Sequence, residues 1–302
     1  SLGWEPQFLQ IKASSTNGDW IMLDSLRGMP VGAVLNALKA NTSEAEDTTS
    51  VLIISPTATG FSVRFFAAST TYIYLAIRRG PMRVPTDGTK VFDTQSYTGD
   101  GTTKKISSAL PTVDLVIPQR PNDAAQHGWF QRLTAPMALF SNDVSSEAAT
   151  LVWDFAANYG IIGYDVYYGN RSSAVYKNLL FRLAPSFLDI VCDTGTGAAH
   201  AINHSLTVAP ELIIRKSRSA ATQWECWHSA LDATEKLVLN STAAKATDAT
   251  AFGTLPTATQ FYVGASSNTN ASAATYVTYL FATCPGVSKV GYYTGNGTSL
   301  QI

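Results

Sequence analysis

Short apolar-rich runs of five or six residues dominate the hydrophobic pattern of this chain: Trp20 to Asp24, Tyr72 to Ile77, Tyr176 to Phe181, Leu212 to Lys216 and Tyr276 to Phe281. Their β-branched and aromatic content suits half-buried or buried strands. Gly, Asn, Asp, Pro, Ser and Thr separate such runs at intervals of about 8–12 residues, the spacing of turns in an all-β sandwich. No helical spacing is sustained. Two brief stretches, Val31 to Lys39 and Ser145 to Trp153, are the best helix candidates, the second opened by Ser145-Ser146-Glu147 as a cap.

The turns recur. Tyr97-Thr98-Gly99-Asp100-Gly101, Asp193-Thr194-Gly195-Thr196-Gly197 and Tyr293-Thr294-Gly295-Asn296-Gly297 share one pattern, spaced by about 100 residues, the size of a small domain rather than of a solenoid repeat. Asp-Gly and Asn-Gly tolerate the positive φ that tight hairpins require. Pro56-Thr57-Ala58-Thr59 returns as Pro256-Thr257-Ala258-Thr259, and Asn41, Asn142 and Asn240 each follow an apolar stretch. A tryptophan leads a strand in each copy, at Trp20, Trp129 and Trp224, and is expected at one equivalent, buried position.

The reading is therefore all-β: three tandem β-sandwich domains, lectin-like or jelly-roll-like, of about 100 residues each. Their expected bounds are 1–92, 93–188 and 189–288. The first lacks its own opening hairpin, and 289–302 supplies a surplus one that either begins a further repeat or closes on repeat one. Arg78 to Gly88 reads as an exposed, charged connector, and Ala184 to Cys192 as a short apolar join that packs its two repeats closely.

Charge narrows the partners. Only 14% of the 302 residues are charged and the formal net charge is −1, so nucleic acid and acidic lipid are not expected partners. No run of 18 apolar residues is present, and membrane insertion is not expected. Cys192, Cys226 and Cys284 fall at unrelated places in the repeat, which argues against a disulfide framework. The opening Ser1 reads as a trimmed start, on a chain made in a reducing cytoplasm.

Gly18-Asp19-Trp20, Asp24-Ser25-Leu26-Arg27-Gly28, Asn41-Thr42-Ser43-Glu44-Ala45-Glu46, Gly60-Phe61, the Tyr-rich strand and the Tyr-Thr-Gly-Asp-Gly turn together resemble a β-rich domain. That domain is found, often in tandem, in tail and tail-fibre proteins of tailed bacteriophages. Pro210 to Ile214, Trp227-His228, Leu239-Asn240 and Tyr293 to Gly297 carry the pattern again, whereas the second copy lacks the Asp-Ser-Leu-Arg-Gly element. The resemblance implies a virion tail protein, made in the host cytoplasm. Its expected partners are a host-surface glycan or protein and other tail chains, including copies of itself. A structural spacer is the alternative expectation and a capsule depolymerase the third.

Candidate chemistry is sparse. His200 and His204 have the spacing of a helical metal pair, but Ala201 stands where the glutamate of a His-Glu-x-x-His site belongs and the context is a strand. Asp19, Asp24, Glu44, Glu46 and Asp47 are the densest carboxylates, read as turn and cap chemistry rather than a glycosidase pair, with Arg27 fixing Asp24. Phosphate loops, nucleophile elbows and paired Cys-x-x-Cys motifs are absent from the sequence. No catalytic residue, metal or cofactor is expected. Trp227 and His228 are the candidate ligand-binding residues, as an aromatic pair on an exposed face.

Overall fold

The computed structural model describes residues 2–25, 27–31, 36–48, 53–64, 66–78, 83–150, 152–155, 159–164, 167–299 and 301. The first part of the chain forms β1 (Pro6–Ala13), β2 (Ile21–Asp24), β3 (Leu38–Lys39), β4 (Ile53–Thr57), β5 (Gly60–Arg64) and β6 (Tyr72–Arg78). The second forms β7 (Phe92–Thr98), β8 (Lys104–Ser107), β9 (Leu115–Gln119), β10 (Gly128–Gln131) and β11 (Met137–Phe140). It continues with β12 (Ala148–Ala149), β13 (Trp153–Asp154), β14 (Gly160–Gly163) and β15 (Val175–Phe181). The third forms β16 (Leu188–Thr194), β17 (His200–Asn203), β18 (Leu212–Ser217), β19 (Glu225–His228) and β20 (Glu235–Val238). Then come β21 (Ala246–Thr247), β22 (Gln260–Val263), a single helical turn α1 (Ser267–Asn270) and β23 (Thr275–Phe281).

The fold is all-β, built of small antiparallel sheets. Three larger sheets run β3-β2-β1-β6, β12-β11-β10-β9-β15-β7 and β16-β23-β18-β19-β20-β21; the smaller ones are β4-β5, β13-β14-β8 and β17-β22. Strand alternation sets the layers. In β1, Leu9, Ile11 and Ala13 point one way and are buried, with Leu9 and Ile11 in a core with Leu23, Met29 and Ile54. The other face carries Phe8, Gln10 and Lys12.

Equivalent hydrogen bonds tie the three parts together. The hydroxyls of Tyr72, Tyr176 and Tyr276 accept from the backbone N–H groups of Ala67, Arg171 and Ala271 at 3.2, 3.2 and 2.8 Å. The side-chain carbonyls of Asn41, Asn142 and Asn240 accept from the N–H of Trp20, His127 and Trp224 at 2.8, 3.0 and 3.0 Å. This register corrects the tryptophan expectation. Trp20 and Trp224 are counterparts, but His127 holds that place in the second part, and Trp129 lies two residues on.

Burial separates the counterparts as well. Trp224 is fully buried while Trp20 is 37% exposed. The larger sheets of the second and third parts press their faces together in one core, where Trp129 meets Trp224 and Tyr279 with ring centroids 5.5 and 4.7 Å apart. Ala184, Phe187, Leu188 and Ile190, from the apolar join, lie in that core. Among the described residues, Trp20 belongs to none of the buried clusters.

Ion pairs lock the seams. Arg132, 7% exposed, reaches Asp114 and Glu5 at 2.9 Å each, linking the first and second parts beside the Val31 N–H to Leu133 carbonyl bond of 2.7 Å. Arg218 meets Glu147 at 2.8 Å between the second and third.

Neither helix candidate is helical in its described residues. Among the described residues of 31–39, Ala37 forms a bridge with Asp47 and Leu38–Lys39 is strand, because Met22 and Ile21 offer them a sheet edge; 32–35 lie outside the described residues. Ser145 to Trp153 is spent on Asp143 capping Ser145 and on two short strands. The expected C-terminal hairpin forms no strand among the described residues either: Tyr292 and Tyr293 are 81% and 66% exposed.

Candidate functional site

A pocket of about 300 Å³ opens in the first part, between β1, the 14–20 turn and the segment leading into β6. Ile11 and Ala13 form its floor, Phe66 and Tyr72 its aromatic wall, and Asp19 and Lys39 stand at its rim. The sequence produces it by substitution within a shared frame. At the place of Ile11 the third part has Arg215, fully buried, its guanidinium paired with Asp193 at 2.7 Å and stacked 4.3 Å from the Tyr276 ring centre. Ile11 is too short to fill that volume, and Ala13 replaces Ser217 beside it.

The aromatic wall is an edge-to-face pair. Phe66 and Tyr72 meet edge to face with centroids 4.7 Å apart, an arrangement favoured by the ring quadrupoles. At the rim, Asn41 donates to the Asp19 carboxylate at 2.9 Å, and that bond, with Lys39 nearby, holds the carboxyl below its usual range. Lys39 sits 2.7 Å from Glu44, whose hydrogen bond and charge raise the ammonium pKa. The site thus offers an apolar floor, two aromatic rings and fixed charges at the mouth. Such a combination suits a small amphipathic ring, one face apolar and its edge hydroxylated.

The remaining sequence candidates are placed as follows. Trp227 is 4% exposed, in the core between β18–β19 and β17–β22, with its indole N–H donating to the Asp232 carbonyl at 3.2 Å. It presents no exposed aromatic face, because its inward position in β19 is the one that fills the sheet-to-sheet gap. His228 is half-buried and accepts from the Ala230 N–H at 3.0 Å. His200 lies against Thr196, Ala198 and Asn270, whereas His204 is 5% exposed and bonded to the Thr257 carbonyl at 3.1 Å. Burial lowers the His204 pKa, and with His200 opening β17 and His204 just past its end, each imidazole has its own partners instead of forming a helical pair. Among the described residues, no three metal-capable side chains lie together.

The carboxylates are engaged in turns and ion pairs. Asp24 meets Arg27 at 2.8 Å, and Arg27 reaches Glu46 at 3.6 Å. Cys192, Cys226 and Cys284 are free thiols. No helix among the described residues is long and apolar enough to cross a membrane. The pocket residues Ile11, Ala13 and Phe66 escaped sequence reasoning; the signal was their departure from Arg215, Ser217 and Asn270 in the third part.

A family model described as a domain of unknown function (DUF7483) matches residues 183–300, less than half of the chain. No curated protein and no solved structure matches the chain.

Proposed function

We propose that this chain is a non-enzymatic segment of a bacteriophage tail or tail fibre, made of three tandem β-sandwich repeats, that contributes to binding a host-surface glycan. The phage assignment rests on the sequence resemblance alone. The repeat reading is supported by the equivalent Tyr and Asn hydrogen bonds in the three parts. The observation that carries the binding role is the pocket beneath the 14–20 turn, where Phe66 and Tyr72 face a sugar-sized space rimmed by Asp19 and Lys39. Aromatic faces take the C–H surface of a sugar, and rim charges take its hydroxyls.

A spacer role is the second reading, favoured by the apolar row Ile73, Leu75 and Ile77, each about half exposed, which suits contact with another tail chain. Fluorescently labelled chain is applied to a panel of bacterial cells, alongside Thr16→Trp, which plugs the mouth from an exposed position. Cell labelling that Thr16→Trp removes supports the glycan reading. Labelling that ignores the plug, or none on any cell, overturns it.

A further inference from the structure

A groove of about 630 Å³ lies on the seam between the second and third parts, lined by two copies of the same turn. One is Ser141-Asn142 and the other Leu239-Asn240. Their backbone frame is shared. The Ser141 N–H donates to the His127 carbonyl at 2.9 Å and the Leu239 N–H to the Trp224 carbonyl at 3.0 Å, while each asparagine carbonyl accepts from the N–H of His127 or Trp224.

Trp224 pins both turns. Its indole N–H donates to the carbonyls of Phe140 and Asp143, the residues that flank Ser141-Asn142, at 2.9 and 3.1 Å, and its backbone N–H is held by Asn240. The fully buried side chain at the core of the seam therefore fixes the two walls of the groove, which stands preformed.

Asn142 departs from its counterparts. The side-chain amide of Asn41 donates to Asp19 at 2.9 Å and that of Asn240 to Gln223 at 2.6 Å. Gln126 holds this place in the second part, but it is engaged elsewhere: its amide donates to the Asp143 carboxylate at 3.3 Å, and its carbonyl accepts from the Tyr168 hydroxyl at 3.1 Å. Among the described residues, the one hydrogen bond of the Asn142 side chain is the one its carbonyl accepts from the His127 N–H at 3.0 Å. Its amide donors are left for a ligand, on an exposed side chain that lines the groove.

The rest of the lining has matching chemistry. Leu239, 43% exposed, gives apolar surface beside the His127 ring, and Ser141, Ser241 and Thr242 bring hydroxyls. None of the lining residues is an acid, a lysine or an arginine, so an ionic ligand finds no counter-charge there. We propose that this groove is a second saccharide subsite and takes an uncharged sugar residue, with the C–H face of the sugar on Leu239 and a hydroxyl accepting from the Asn142 amide. It differs from the pocket of the first part, whose rim carries Asp19 and Lys39. A groove open to solvent holds one neutral sugar weakly, and cell attachment needs both sites at once on one polysaccharide. Blocking the first pocket therefore removes attachment while the groove still takes free sugar.

Isotope-labelled chain is titrated with the methyl glycosides of glucose, galactose, mannose and N-acetylglucosamine, and with that of glucuronic acid as the charged comparison. Nuclear magnetic resonance follows the Asn142 side-chain amide and the His127 ring. The expected result is a saturable shift of both signals with at least one neutral glycoside and none with the glucuronide. Thr242→Trp abolishes the shifts by filling the groove from an exposed side chain that has no hydrogen bond to lose among the described residues. Asn142→Asp keeps an oxygen for the His127 N–H but removes the donor; it weakens binding about tenfold or more, read at His127, with the melting temperature unchanged. Thr16→Trp leaves the shifts as they are, so failure of the first pocket and failure of the groove are read separately. No shift with any neutral glycoside, a stronger shift with the glucuronide, shifts that persist in Thr242→Trp, or parental binding by Asn142→Asp overturns the proposal.

Discussion

Replacing Trp224 by alanine separates the two tryptophan counterparts by their surroundings. Trp224 is fully buried where the second and third larger sheets meet, and its indole N–H donates to the carbonyls of Phe140 at 2.9 Å and Asp143 at 3.1 Å. An aromatic side chain of this size buries about 150–250 Å², or about 4–6 kcal/mol at about 25 cal/mol per Å², an upper bound. Measured aromatic-to-alanine losses of about 3–5 kcal/mol agree with that scale. Trp20, in the same strand position but 37% exposed, buries about two-thirds of that area, so Trp20→Ala costs about 2.5–4 kcal/mol by the same area argument, less than Trp224→Ala on the same scale. Urea unfolding of both variants, followed by far-UV circular dichroism, reads the difference. Equal losses, or a loss below about 1.5 kcal/mol for Trp224→Ala, refute the assignment of this seam as a packed core.

Arg132→Ala leaves Asp114, 2% exposed, without its guanidinium partner and destabilises the chain by about 3–5 kcal/mol, measured by urea unfolding; a loss under about 1 kcal/mol contradicts the buried pair. Alkali acts in two opposing ways. Burial pushes the Lys216 ammonium down to about 8, so between that value and its unfolded pKa of about 10.4 the unfolded chain holds more protons and stability rises with pH. Burial pushes the Cys226 thiol up to about 12; above an unfolded pKa of about 8.5 the folded chain holds more protons and stability falls, by up to about 1.4 kcal/mol per pH unit. Unfolding free energies from pH 8 to 10 therefore decline less steeply in Cys226→Ala than in the parent and more steeply in Lys216→Met, and unchanged slopes contradict both buried sites.

Local chemistry was legible where the backbone itself demanded a residue type. Gly99 and Gly195 stand under a carbonyl, and Asn41, Asn142 and Asn240 close the same loop, so turn residues recur at fixed offsets. The strands Tyr72–Arg78, Val175–Phe181 and Thr275–Phe281 were equally visible, because alternation of apolar side chains is a direct image of a two-faced sheet. Tertiary contacts were not. Trp129 resembles Trp224 in sequence but meets it across the seam instead of matching it, and only the hydrogen bond of His127 to Asn142 reveals the shift. The pocket was hidden for a related reason. It depends on a volume that Arg215 occupies and Ile11 leaves open, and one sequence does not display volumes. Trp227 looked like an exposed anchor because aromatic residues serve cores and binding faces alike; its inward register on β19 decides for the core.

Retention on immobilised bacterial surface polysaccharide, compared between the parent chain and Thr16→Trp, tests the binding account most directly. The account predicts saturable retention of the parent, its loss in Thr16→Trp at unchanged thermal stability, and no release of reducing ends. Retention that survives the plugged pocket, failure of the parent to bind any of the polysaccharides, or release of reducing ends contradicts it.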